Sequence, residues 1–93
     1  MDRLEKIRVE YVTTMPDTKE DGVLYVSRYF GLAVMMCPCG CGEQCVMTLQ
    51  PNDERGWVIG VDRDKVTLSP SVLETSCPNK SHFFIRKNKI VWI

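Results

Sequence analysis

The chain is short of several things. It has one histidine, His82, and no excess of either charge: twelve lysines and arginines stand against twelve aspartates and glutamates in 93 residues. A strong non-specific nucleic-acid binder normally carries a basic excess, so a nucleic-acid partner is not expected, although Arg86, Lys87 and Lys89 form a local basic cluster. No apolar run approaches the roughly 20 residues of a membrane span. The opening residues MDRLEKIRVE are charged and alternating, unlike a secretory signal. The expectation is a cytoplasmic protein with no membrane partner. No segment sustains a 3.6-residue period, and there are no repeats. A GxGxxG or P-loop phosphate cradle is missing, as is the C-x-x-C of thiol–disulfide exchange.

Period-2 alternation is present instead. Ile7, Val9 and Tyr11 share one face of a strand with Arg8 and Glu10 on the other. Val23–Ser27 (VLYVS) and Leu32–Met36 (LAVMM) read as strands, as do the short apolar run 46–49, Trp57–Val61 and Lys65–Ser69. Met15–Gly22 reads as a polar turn or a short helical turn. At the C-terminus, His82–Arg86 and Lys89–Ile93 flank Lys87-Asn88, a hairpin turn in which Asn takes a positive φ. Trp57, Phe83, Phe84 and Trp92 sit in strands like core residues, and Tyr25, Tyr29 and Phe30 are expected to pack. One of the neighbours Phe83 and Phe84 must face outward, and such a face is a candidate partner surface. The expected fold is mainly β with little helix: one domain, residues 1–93, in a small antiparallel sheet or meander.

A core this small gives only a modest stability margin, and small domains commonly add a staple. The staple is expected at MCPCGCGEQC. Four of the five cysteines, Cys37, Cys39, Cys41 and Cys45, lie within nine positions, and Cys77 comes later with His82 five residues behind it. An odd number of thiols in a reducing compartment disfavours disulfides. Thiolates and imidazole bind zinc in tetrahedral sets of four drawn from two ligand groups. Here the groups are Cys37, Cys39, Cys41 and Cys45 on one side, and Cys77 with His82 on the other. Gly40 and Gly42 allow the tight turns such a loop needs. A structural zinc contributes an apparent ~10–16 kcal/mol, against about 3–5 kcal/mol from a core of this size. Glu43 beside the cluster is the candidate general base if the metal were catalytic. Ser69-Pro70-Ser71 has no histidine at motif spacing and reads as turn or strand-edge chemistry, so no catalytic residue is assigned.

The combination of Gly22–Ser27, CPCGCGE (37–43), VTLSPS (66–71), Cys77, SHFFI (81–85) and Val91-Trp92 resembles a small bacterial and phage family described as a domain of unknown function. The likeness runs along most of the chain. It implies a metal-binding domain with Cys37, Cys39, Cys41, Cys77 and His82 as candidate ligands and Cys45 as a spare thiol. Some members are encoded beside bacterial ubiquitin-like conjugation genes. The chain departs from the pattern at Met35, where members often have histidine, and in the longer Pro78-Asn79-Lys80 loop. The expected function is a zinc-stapled module that binds a protein partner; the alternative is a small zinc enzyme with Glu43 as base.

Overall fold

The computed structural model describes residues 3–93. Eight strands follow one another: β1 (Arg8–Tyr11), β2 (Val23–Ser27), β3 (Leu32–Met36), β4 (Gln44–Thr48), β5 (Val58–Asp62), β6 (Lys65–Leu73), β7 (His82–Arg86) and β8 (Lys89–Trp92). They form two four-stranded sheets, β1-β2-β3-β4 and β5-β6-β7-β8. The mainly β expectation is correct, and no helix occurs among the described residues. One pairing differs from an all-antiparallel meander, because β1 and β2 run parallel. Parallel neighbours need a crossover connection. Residues 12–22 supply it by passing over the outer side of β2, where the Tyr25 hydroxyl accepts from Glu20 N–H and Ser27 Oγ donates to Thr13 O. That cover explains why β2 is buried along its whole length.

Alternation sets the core. Leu24, Val26, Ala33, Met35 and Met47 face Val66, Leu68, Val72, Phe83 and Ile85 from the opposite sheet. Phe83 is fully buried, its ring tilted against Trp92 at 5.5 Å. Phe84 points to the outer side, as period 2 requires. Tyr29 and Phe30 do not pack inward as expected. They sit in the tight β2–β3 turn, exposed, in edge-to-face contact with each other at 4.8 Å.

The sheets also meet at both lateral seams. Lys6 bridges Lys89 beside β8, where Ile7 N–H donates to Asn88 O and Ile90 N–H to Glu5 O. At the other seam Leu49 bridges Trp57. The polar run 51–56 therefore links the sheets rather than hanging free, with Asp53 accepting from Thr48 Oγ1 at 2.8 Å.

Candidate functional site

The CPCGCG loop leaves β3, turns back and returns as β4. Gly40 and Gly42 have φ of +87° and +88°, a left-handed backbone that glycine adopts without strain. Cys37 N–H donates to Glu43 O at 2.8 Å, and Gly40 N–H to Cys37 O at 3.1 Å. These turns aim three sulfurs to one side. The fourth comes from the β6–β7 connection, closed by Glu74 N–H to Ser81 O and Lys80 N–H to Cys77 O. Cys37, Cys39, Cys41 and Cys77 then have all their sulfurs within 4.8 Å of one another. Cys37 and Cys39 are 3.4 Å apart, Cys39 and Cys77 3.3 Å, and Cys37 and Cys77 3.9 Å. Four thiolates at Zn–S distances of ~2.3 Å on a tetrahedron stand about 3.8 Å apart. The donor set therefore fits a metal ion.

The electrostatics agree with that fit. Burial raises the Cys37 thiol above its ordinary value. Burial also opposes ionisation of Cys39, but hydrogen bonds from Ser81, Asn79, Cys77 and Cys37 outweigh it and bring the thiol down to about 6. Glu43 N–H favours the Cys41 thiolate, yet desolvation and the neighbouring sulfurs prevail and push Cys41 up to about 12. The Ser81 hydroxyl lowers Cys77. Four thiols this close cannot all ionise without a shared positive charge, which a metal ion supplies.

Two sequence candidates stand apart from this group. Cys45 is buried within β4, opposite Met35, and burial raises its thiol strongly. His82 is the first residue of β7, and its Nε2 lies 2.9 Å from Ser71 Oγ. Glu43 acts here through its backbone, donating its N–H to Cys41 Sγ at 3.5 Å, and its side chain is exposed.

The Ser71–His82 contact is the feature that sequence spacing did not reveal. Ser69-Pro70-Ser71 is neither a turn nor a strand end, because it lies inside β6. The β6–β7 register pairs Leu68 with Ile85 and then Val72 with Phe83. Ser69, Pro70 and Ser71 therefore stand opposite Phe84 alone, a bulge of the kind that re-aims a side chain. Leu73 pairs with His82, so Ser71, two residues before Leu73, is the diagonal neighbour of His82 on the outer face. Trp57 Nε1 donates to Ser71 O at 3.3 Å and holds the bulge from the far side. Among the described residues no carboxylate partners the His82 ring, so the arrangement is a dyad. The available signal was a strand serine followed by the chain's one histidine at the start of the next strand.

The dyad and the sulfurs are mechanically joined. Ser81, directly before His82, is buried with its Oγ 3.4 Å from Cys37 Sγ and 3.5 Å from Cys77 Sγ. Beside His82 opens a hollow of about 360 Å³ that includes Cys39, Asn79 and Trp92 in its wall.

No curated protein and no solved structure matches the chain. A family model does, over residues 11–93, under the description "Bacterial ubiquitination-like system serine protease (BubE)". That span takes in the cysteine loop, the bulge and His82, and the chain belongs to the BubE family of a bacterial ubiquitination-like system.

Proposed function

We propose that the protein is a serine peptidase of a bacterial ubiquitination-like system, with Ser71 as nucleophile and His82 as its base. The observation that carries this reading is the 2.9 Å contact between Ser71 Oγ and His82 Nε2 on an outer sheet face. A serine hydroxyl is a weak nucleophile until a neighbouring base takes its proton. With hydrogen on Nδ1, the Ser71 hydroxyl donates to Nε2. As Oγ attacks the carbonyl carbon of a substrate amide, Nε2 receives the hydroxyl proton. The same proton passes to the departing amine when the C–N bond breaks, leaving an acyl ester on Ser71. Water then attacks that ester with His82 again as base, releasing the acid and restoring both side chains. The description of the family as a serine protease supports the assignment. A protein of the conjugation system is the natural substrate, so the protein partner expected from the sequence becomes the molecule that is cut.

The metal has a separate role in this reading. Cys37, Cys39, Cys41 and Cys77 would hold zinc in a closed four-thiolate set, which leaves no position for a reactive water. That favours a structural ion over the metalloenzyme alternative with Glu43 as base. Zinc would pin the β6–β7 connection through Cys77 and thereby fix Ser81 and His82. His82 serves as base in this proposal, not as a ligand. Reduced thiols suit the cytoplasm, and residues 1–93 would act as one unit.

Labelling with a fluorophosphonate probe, followed by peptide mass spectrometry, tests the reading. Modification at Ser71 that disappears in His82→Ala is the expected result. A folded, metal-loaded protein whose Ser71 takes no probe would overturn it and favour a non-catalytic interaction module.

A further inference from the structure

The outer face of the second sheet continues past the dyad. Residues 82, 84 and 86 of β7 share that face by strand alternation. Phe84 pairs with Val91, which is 38% exposed, and Arg86 pairs with Lys89. The Arg86 guanidinium lies over the Phe84 ring at 4.2 Å, an arrangement that orders the cation without neutralising it. Beyond it opens a groove of about 460 Å³ lined by Lys65, Thr67, Arg86, Lys87, Lys89 and Val91. Among the described residues none of these four cations is in an ion pair; both ion pairs found belong to Arg8. From Thr75 to Ile93 the sequence contains no aspartate or glutamate. Asp62 and Asp64 lie in the neighbouring hollow, whose wall Lys65 and Lys87 share, and Arg86 and Lys89 stand apart from it. Lys87 has a φ of +47°, a left-handed conformation that costs a residue with a Cβ of the order of 1 kcal/mol. A balanced net charge therefore conceals a one-signed groove beside an apolar strip.

We infer that this strip and groove form the substrate-docking track of the peptidase, and that its occupant is an extended acidic polypeptide segment. The occupant follows from charge complementarity: four unpaired cations select carboxylates, and the Phe84–Val91 strip takes an apolar side chain between them and the dyad. The placement rests on the peptidase reading, which puts the scissile bond at Ser71. From His82 to Arg86 is four residues of strand, about 13 Å. An extended substrate has nearly the same rise, so its acidic side chain falls about four residues from the cut bond.

The test uses the full chain and a fluorescein-labelled peptide of alternating Glu and Leu. Controls are the same peptide with Gln for Glu, and a single-stranded DNA oligonucleotide. Anisotropy should show the Glu peptide binding well above the Gln peptide, with about tenfold weaker binding after joint Arg86→Glu and Lys89→Glu substitution. Equal binding of the two peptides would overturn the inference. So would tighter binding of the oligonucleotide with displacement of the Glu peptide, which would assign the groove to phosphate. Fluorophosphonate labelling of Ser71 is read in parallel. Labelling retained in the double variant while acidic-peptide binding is lost supports the track as a separate element. Absent labelling with intact, charge-reversible peptide binding sinks the peptidase and keeps the acidic dock.

Discussion

Single residues divide sharply into those that hold the molecule and those that act. Phe83, fully buried against Trp92, belongs to the first kind. Phe83→Ala should cost about 3–5 kcal/mol, and each kcal/mol lowers Tm by roughly 4–8 °C in a domain of this size, so a thermal melt reads the loss. Ser71 belongs to the second. Ser71→Ala removes one half-buried hydroxyl and should change stability by no more than about 1 kcal/mol. It should nevertheless abolish probe labelling and cut peptidase turnover by about 10³-fold or more, because a nucleophile and its base fail as a unit. Cys45 tests the boundary of the sulfur group. Cys45→Ala should leave one metal per chain by elemental mass spectrometry, whereas Cys39→Ala should lose it.

At the scale of elements, the strands were legible and their register was not. VLYVS, LAVMM and HFFIR have the observed limits of β2, β3 and β7 because branched and aromatic side chains alternate over a single core. The Lys87-Asn88 turn was equally legible, with both residues at positive φ. The bulge in β6 was not. Pro70 resembles a strand terminator in sequence, yet it is tolerated where the ladder is already broken. That misplaced strand end hid Ser71 from His82. The cysteines showed the reverse pattern: clustering marked the site, but only the loop path could show that Cys77 joins Cys37, Cys39 and Cys41 while Cys45 stays in the core. Because Cys77 sits in the β6–β7 connection, a strong chelator should slow probe labelling of Ser71 by loosening His82, with zinc restoring the rate. Acid should do the same. Hydrogen bonds hold the Cys39 thiol low, at about 6, so its thiolate contribution is complete above the ordinary thiol value and is lost as pH falls through about 6. Protons compete with the metal for the same sulfurs, so zinc release to a chromogenic chelator should rise as the pH is lowered.

For the whole molecule, the two seams matter more than their size suggests. Each is a short run of bridging backbone, yet together they leave neither β8 nor β5 with a fully open margin. Unpaired strand edges invite pairing with other chains. Removing residues 1–7 should therefore expose β8, lower Tm and produce concentration-dependent association, measurable by light scattering. The absence of charge excess said nothing about such edges, nor about the sorting of cations onto one groove, since composition sums over faces that the fold separates. The seam beside β8 has one more consequence. Trp92 Nε1 donates to Leu4 O at 2.9 Å across 88 positions of sequence, so the segment before β1 and the close of β8 are neighbours. A short linker from Trp92 to Leu4 would span this contact, and the molecule should tolerate being recut at the exposed Asp62–Lys65 turn as a circular permutant with both the dyad and the sulfur group intact.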